Sequence, residues 1–211
     1  MQKDWTGNYN SIWKTLGASN HTEKDRQVDD FYATDPKALE LFSNSFTINN
    51  KVYECACGNG SLSEWLKNKG YDVLSTDLVD RGYGLPNVDF LSVTKEAPFL
   101  KEWSNGQTFD ILTNPPYKLA TQFILHALDI IPDDGRVIMF LKTTFLEGKQ
   151  RKKLIYDVNP PRYVYQFSER ILCAKNADFE QMIANGGSAV AYAMYIFEKQ
   201  NNEKKTEIKW L

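Results

Sequence analysis

A glycine-rich turn between two short apolar segments is the feature that most limits how this chain can fold. The segment KVYEC (Lys51 to Cys55) predicts a strand, and the turn that follows it (ACGNG) contains two glycines. A helix-forming stretch, SLSEWLKNKG, then leads to a second predicted strand, YDVLSTD. A strand, a helix and a strand in this order form a βαβ unit, whose strands are parallel and whose crossover is right-handed. The chain is therefore expected to build a parallel sheet covered by helices.

The same alternation continues along the chain. FDILTN predicts a strand that runs into NPPY, a helix is predicted from about Lys118 to Ile131, and RVIMFL is typical of a parallel strand buried on both faces. Further strands are predicted in RYVYQF, in AVAYAMYIFEK and near the C-terminus, and a helix near Pro36 with Asp35 as its cap. The predicted fold is α/β: a Rossmann-like, doubly wound, mostly parallel sheet with helices on both faces. Ligands of such sheets bind at the carboxyl ends of the strands.

Length and composition set the expected organisation. The 211 residues suit one domain, which we place at 31–211, after a polar N-terminal arm at 1–30. The net charge of −2 does not indicate a strongly basic nucleic-acid binder, although totals hide local patches. Three cysteines without framework spacing suggest reduced thiols and, with a polar start, a cytoplasmic protein. We expect no metal site, because the two histidines and three cysteines do not form a ligand pattern.

The glycine turn and a later acidic residue indicate a nucleoside ligand. Gly58 and Gly60 allow the backbone to turn tightly and to approach a ligand closely. Asp77 ends the next predicted strand about twenty residues after the turn, where an acid can accept both ribose hydroxyls. Neither a Walker lysine nor a complete G-x-G-x-x-G is present, so a pyrophosphate is not required. The alternative is an ordinary tight turn between a strand and a helix.

The tetrapeptide Asn114, Pro115, Pro116 and Tyr117 is the most informative segment. Two prolines fix an extended backbone that cannot continue a β-ladder, which leaves the carbonyl of Pro115 free to point into the crevice. Together with the amide oxygen of Asn114 it offers two acceptors to an amino group. Such acceptors favour the pyramidal form of an aromatic amine, in which the lone pair is localised, and this interaction strengthens in the transition state. The alternative is a proline-rich turn without chemistry.

Together these segments resemble the amino-methyltransferase branch of the Rossmann-like, S-adenosylmethionine-dependent methyltransferases. They are especially similar to short, phage-like DNA adenine-N6 enzymes: VYECACGNGSL resembles the cofactor motif, STDL the ribose-binding acid and FDILTNPPY the catalytic motif. FYATDP, which begins at Phe31, resembles the segment that holds the methionine end of the cofactor, and Asp89 with Phe90 resembles the pair beside its adenine. The resemblance implies catalysis by Asn114, Pro115, Pro116 and Tyr117. It implies that S-adenosylmethionine is bound by Tyr32, Ala33, Thr34, Pro36, Glu54, Ala56, Cys57, Gly58, Gly60, Asp77, Leu78, Asp89, Phe90 and Asn114.

Adenine N6 in DNA is the expected substrate. A base in duplex DNA must be flipped out for such chemistry, which requires cations for the backbone and aromatic rings for the base. The cations are sought in a basic stretch after RVIMFL, and the rings in three phenylalanines that could equally belong to the core. The basic residues are Lys142, Lys149, Arg151, Lys152 and Lys153, and the phenylalanines are Phe145, Phe167 and Phe179.

Several alternatives remain open from the sequence. The basic stretch could be a solvated helix face. The methyl group could be transferred to a glutamine amide in a protein or to guanine N2 in RNA. The chain could also be a non-catalytic partner subunit that retains the same fold. No stretch after the predicted sheet is long enough for a separate target-recognition domain, so site selection would depend on loops or on a partner.

Overall fold

The computed structural model describes residues 32–175, 178–184, 188, 190–201 and 203–211, with Lys175 described in its backbone only. The predicted N-terminal arm (1–30) and Phe31 lie outside the described residues. The strands are β1 (Tyr32–Thr34), β2 (Lys51–Glu54), β3 (Asp72–Ser75), β4 (Asp110–Thr113), β5 (Arg136–Lys142), β6 (Tyr163–Gln166), β7 (Cys173–Lys175), β8 (Tyr192–Glu198) and β9 (Glu207–Trp210).

Helices connect these strands. No helix among the described residues is long and apolar enough to cross a membrane. Three short 3₁₀ turns lie at Phe90–Ser92, Tyr117–Leu119 and Thr143–Leu146. The α-helices are α1 (Lys37–Ser43), α2 (Ser61–Asn68), α3 (Pro98–Ser104), α4 (Ala120–Ile130), α5 (Lys149–Arg151, which continues as a π-helical turn over Lys152–Tyr156) and α6 (Phe179–Ala184).

Seven strands form the main sheet in the order β3-β2-β4-β5-β8-β6-β9. The strands β3, β2, β4 and β5 are parallel, β8 runs antiparallel to both β5 and β6, and β9 is parallel to β6. The predicted βαβ unit is therefore present as β2, α2 and β3. A doubly wound, mostly parallel sheet is confirmed.

The central strands bury alternate residues on opposite faces of the sheet. In β5, Val137, Met139 and Leu141 join a core that includes α4, whereas Ile138 and Phe140 join a core that includes α1 and α2. Because both faces are covered, β5 is apolar along its whole interior, as the run RVIMFL indicated.

The sequence did not predict the separate two-stranded antiparallel sheet of β1 and β7, nor the helices α3 and α6. One predicted boundary also moves: α1 begins at Lys37, and the Asp35 carboxylate accepts a hydrogen bond from its backbone N–H (2.9 Å). Asp35 therefore caps the helix start as expected.

Candidate active site

The glycine turn and the NPPY segment lie side by side at the carboxyl edge of the sheet. The chain passes from β2 outward to β3 and then returns to β4 on the other side of β2, so the order reverses between β2 and β4. In that pair Tyr53 is in register with Ile111. The glycine turn follows β2 within one residue, and Asn114 follows β4 directly. This reversal point is where doubly wound sheets bind their ligands.

Asp77 is in direct contact with the glycine turn. Gly58 and Gly60 have left-handed φ values of 56° and 88°. The N–H of Gly58 donates to one oxygen of the Asp77 carboxylate (2.8 Å), and the N–H of Val79 donates to the other (2.9 Å). The carboxylate is thereby fixed in orientation, while each oxygen keeps capacity for a further donor. The structure thus brings together the turn and the acid that the sequence assigned to one ligand.

Tyr83 is a residue of this region that sequence reasoning missed. Leu85 of the same loop donates its N–H to the carbonyl of Ser75 (2.9 Å), which folds the loop back over the turn. A methyl group on Gly60 would lie 2.6 Å from the Tyr83 ring. The Tyr83 hydroxyl donates to Glu64 (2.6 Å) and accepts from Lys67 (2.8 Å). A tyrosine flanked by two glycines soon after the ribose acid was the available signal.

Glu54 is a buried acid at the end of β2. Its carboxyl accepts a hydrogen bond from the hydroxyl of Ser63, which in turn contacts the hydroxyl of Ser75 (2.7 Å). Burial, with a smaller contribution from the negative charge of Asp77, raises the pKa of Glu54 to about 8. At neutral pH the protein therefore holds a protonated carboxyl at the base of the glycine turn.

Glu54→Gln should change how stability depends on pH. In the wild type, the free energy of unfolding should fall as pH rises from about 4.5 to 8, because the folded state keeps a proton on Glu54 that the unfolded chain releases. Glutamine cannot ionise, so the variant should lose most of this slope and exceed the wild type at pH 8 by at least about 1 kcal/mol, since one pKa unit corresponds to about 1.4 kcal/mol. Urea unfolding at pH 5 and pH 8 measures the pH dependence of each protein and the difference in their free energies of unfolding. Glu102→Gln, at an exposed glutamate, is the control; parallel slopes for all three proteins would contradict the assignment.

The side-chain amide of Asn114 is held on one side only. Its Nδ2 donates to the carbonyl of Tyr32 (3.2 Å) and to the hydroxyl oxygen of Thr34 (3.0 Å), and lies 3.5 Å from the sulfur of Cys173. Its Oδ1 is buried and has no hydrogen-bond partner among the described residues. A buried acceptor without a donor costs free energy, so such an atom in a native fold indicates that a ligand supplies the donor.

Tyr117 lies in an aromatic cluster at the same place. Its ring centroid is 6.4 Å from that of Tyr32 and 6.4 Å from that of Tyr192, and the ammonium of Lys142 is 4.9 Å from its ring. Its hydroxyl is 3.4 Å from the sulfur of Cys173. Burial raises the pKa of Tyr117 well above its ordinary value, so the phenol stays neutral.

The remaining predicted cofactor residues differ in their surroundings. The Asp89 carboxylate is exposed and accepts from the N–H of Leu91 and the hydroxyl of Ser92 (both 3.0 Å). Phe90 is buried in the core, with its ring centroid 4.9 Å from that of Phe123, whereas Leu78 is exposed. Ala33 and Thr34 are buried in β1, Cys57 is buried in the glycine turn, and Ala56 and Pro36 are half-buried.

Burial distinguishes the candidate pocket phenylalanines. Phe145 and Phe167 are buried members of the core, whereas Phe179 is half-buried on α6.

The predicted basic stretch divides into two kinds of residue. The Arg151 guanidinium donates to the backbone carbonyls of Phe145 (2.8 Å) and Glu147, so it holds the preceding turn together. Lys152 forms an ion pair with Asp157 (2.6 Å). Lys149 and Lys153 are exposed and form no ion pair with any described residue, so their ammonium groups are available to a ligand.

Comparisons with known proteins concern the fold. No family model matches the chain, and no curated protein matches its sequence. An S-adenosylmethionine-dependent methyltransferase from Anabaena variabilis is 11% identical over 92% of this chain and 96% of its own, with a TM-score of 0.54. A protein named as a class I S-adenosylmethionine-dependent methyltransferase from Listeria monocytogenes is 12% identical over 95% of this chain and 70% of its own, with a TM-score of 0.53. A protein named as a hemolysin from Lactococcus lactis is 11% identical over 83% and 91%, with a TM-score of 0.55. The chain therefore has the fold of class I methyltransferases, a fold that by itself does not decide the reaction.

Proposed function

We propose that this protein transfers a methyl group from S-adenosylmethionine to an exocyclic amine, adenine N6 in DNA. The observation that carries the proposal is the amide oxygen of Asn114, a buried acceptor without a donor beside the carboxyl end of β4. An amino group is a donor that would complete it. The fold supports the assignment, because class I methyltransferases share it.

The glycine turn fits the nucleoside part of the cofactor. Asp77 lies at the end of its strand with a fixed carboxylate, where ribose hydroxyls can donate to its remaining lone pairs. Gly58 lets the backbone approach the ligand without a side chain of its own, whereas Gly60 leaves room for the ring of Tyr83. When bound, S-adenosylmethionine would supply an electron-poor methyl group: the bond from this methyl to the sulfonium sulfur would break as the bond to nitrogen forms, the cofactor would leave as the neutral thioether, and the methylated amine would release one proton to solvent.

The NPPY segment would act on the amine. The oxygen of Asn114 accepts one amino hydrogen, the carbonyl of Pro115 accepts the other, and the nitrogen lone pair is then directed at the methyl donor. Both acceptors bind the amine more strongly as positive charge develops on nitrogen. The ring of Tyr117, within its cluster of tyrosines, supplies a flat surface for the base.

The nucleic-acid backbone is assigned to the exposed lysines of α5. Lys149 and Lys153 are two cations on a short element that follows β5. Lys142, at the end of β5, lies deeper, with its ammonium near the ring of Tyr117. Phosphate contacts of this kind release counterions and make binding depend on salt.

Lys149→Ala with Lys153→Ala should weaken DNA binding and flatten its salt dependence. Each lost phosphate contact reduces the slope of log K against log salt by about 0.9, so the double variant should lose up to about 2 in slope. Fluorescence anisotropy with labelled DNA across a salt series measures this slope. Arg151 is left intact because it holds backbone carbonyls. The control replaces Lys69 and Lys95, two exposed lysines in turns elsewhere in the chain; equal slopes in all three proteins would show that α5 does not touch phosphate.

Product analysis tests the proposed reaction directly. The protein is incubated with methyl-labelled S-adenosylmethionine and, separately, with duplex DNA, single-stranded DNA, RNA or a protein mixture, and each product is digested and separated. Label in N6-methyladenine from DNA is the expected result. Label only on the amino group of guanine or cytosine, or on the amide of glutamine, would overturn the adenine assignment and keep amino methylation. No transfer to any substrate, with no cofactor binding by calorimetry, would overturn both.

A further inference from the structure

The small sheet of β1 and β7 lies directly against Asn114. Thr34 is the register partner of Cys173, and both residues are buried. The two strands are far apart in the sequence, since β1 precedes β2 and β7 lies between β6 and β8, and they meet only through the tertiary fold. Residues of both strands contact the amide nitrogen of Asn114, as described above.

The acceptors around that nitrogen select one of two amide orientations. An amide NH₂ group has two hydrogens, and here they face the Tyr32 carbonyl, the Thr34 hydroxyl oxygen and the Cys173 sulfur. A half-turn of the amide would place Oδ1 against the Tyr32 carbonyl, so that two acceptors would face each other and that hydrogen bond would be lost. The carbonyl thus selects the orientation, and the Thr34 hydroxyl and the Cys173 sulfur add contacts that hold the amide in place. The observed orientation therefore points the oxygen away from the small sheet.

Cys173 contacts both ends of the NPPY segment. Its sulfur lies 3.5 Å from the Asn114 nitrogen and 3.4 Å from the Tyr117 hydroxyl. Burial raises the pKa of the Cys173 thiol above its ordinary value, so the neutral sulfur acts as a weak hydrogen-bond partner.

We propose that the sheet of β1 and β7 sets the orientation of the reacting site, with Thr34 and Cys173 as positioning residues that keep the Asn114 oxygen turned toward the amine. This inference rests on the proposed function, because it assigns the oxygen of Asn114 to the substrate. Neither positioning residue touches the amine itself; both act through Asn114. Thr34 thereby has two roles. The resemblance implies that it binds the cofactor, and its hydrogen bond with the amide adds the positioning of Asn114.

Matched substitutions test the hydrogen bonds without changing much volume. Thr34→Val removes the hydroxyl, and Thr34→Ser keeps it; Cys173→Ala removes the sulfur, and Cys173→Ser keeps a polar partner. We expect kcat to fall roughly two- to tenfold in Thr34→Val and in Cys173→Ala, the range for one net hydrogen bond. The two serine variants should stay near the wild type. The KM for DNA should hold in all four, and cofactor affinity should hold in the two Cys173 variants. Reduced cofactor affinity with unchanged kcat in Thr34→Val would overturn the positioning role.

A spectroscopic measurement tests the same contacts independently of activity. The two side-chain N–H signals of Asn114 are identified in a ¹⁵N–¹H spectrum by their loss in Asn114→Ala. In Thr34→Val and Cys173→Ala these signals should shift and exchange with solvent faster, while in the serine variants they should stay close to their wild-type positions. Unchanged signals in both deletion variants would overturn the inference.

A double-mutant comparison separates this inference from the proposed function. In the background of Asn114→Ala, adding Thr34→Val should cause no further loss of the residual turnover, because the residue through which it acts is gone. A further loss would show that Thr34 acts by another route and would overturn the inference. If Asn114→Ala keeps full turnover, the proposed function fails. If Asn114→Ala is impaired while Thr34→Val and Cys173→Ala keep wild-type kcat, only the positioning role fails.

Discussion

Asn114→Ala should lower turnover by about 100- to 1000-fold, by analogy with the removal of one preorganised donor from an oxyanion hole. The reason is that the variant loses one of two acceptors whose interaction with the amine strengthens in the transition state. Affinity for the cofactor should barely change, since the reacting amine and not the ribose is the expected partner of the Asn114 oxygen. Single-turnover transfer of labelled methyl, with calorimetry for the cofactor, measures the two quantities.

The control for this variant is Asn68→Ala, at the exposed last residue of α2. Asn114→Ala also removes one hydrogen bond to the Tyr32 carbonyl and one to the Thr34 hydroxyl oxygen, so its thermal unfolding has to be compared with that of the wild type. A folded Asn114→Ala protein with wild-type turnover would refute the mechanism for every amine substrate.

Asp77→Ala should weaken binding of S-adenosylmethionine and of its demethylated product by about 1.5–3 kcal/mol, the range for hydrogen bonds to a charged group. Part of this loss would be indirect. The N–H groups of Gly58 and Val79 both donate to the Asp77 carboxylate, so the variant also removes the contacts that hold the glycine turn. The free energy of unfolding should therefore fall along with affinity.

Asp77→Asn separates the direct contribution from the indirect one. Asparagine keeps one acceptor oxygen, but its NH₂ group would face either the Gly58 or the Val79 N–H, so one of the two contacts is lost. We expect intermediate affinity and near-normal turnover at saturating cofactor, because Asp77 is not assigned to the amine. Calorimetry on all three proteins measures this. Equal affinities would remove Asp77 from the cofactor site and leave the role of Asn114 untouched.

Much of the fold could be predicted because its signals are local. The run RVIMFL predicted a strand buried on both faces, and β5 is such a strand. The glycine turn predicted the βαβ unit that β2, α2 and β3 form. By contrast, β1 and β7 have only three residues each, too few for a clear period-two pattern, and they are stabilised by pairing with each other.

The candidate site was predicted in its residue types but not in all of its contacts. Asp77 meets the glycine turn, as its spacing suggested. Tyr83 was missed because its position between two glycines indicates a turn but does not reveal that its ring packs on Gly60. Arg151 was grouped with the free lysines because charge alone does not reveal that its guanidinium is engaged by backbone carbonyls.

The sequence by itself determined which chemical groups stand at the ends of which strands: a glycine turn after β2, an acid after β3 and an amide with two prolines after β4. These follow from local order, since a parallel strand delivers whatever succeeds it to the same edge of the sheet. Only the tertiary structure decided which way the Asn114 amide faces and where Phe90 lies. The hydrogen-bond partners of Asn114 come from β1 and β7, and the ring of Phe90 packs against Phe123 of α4. Contacts between segments so far apart along the chain depend on how the elements pack, which no local pattern records.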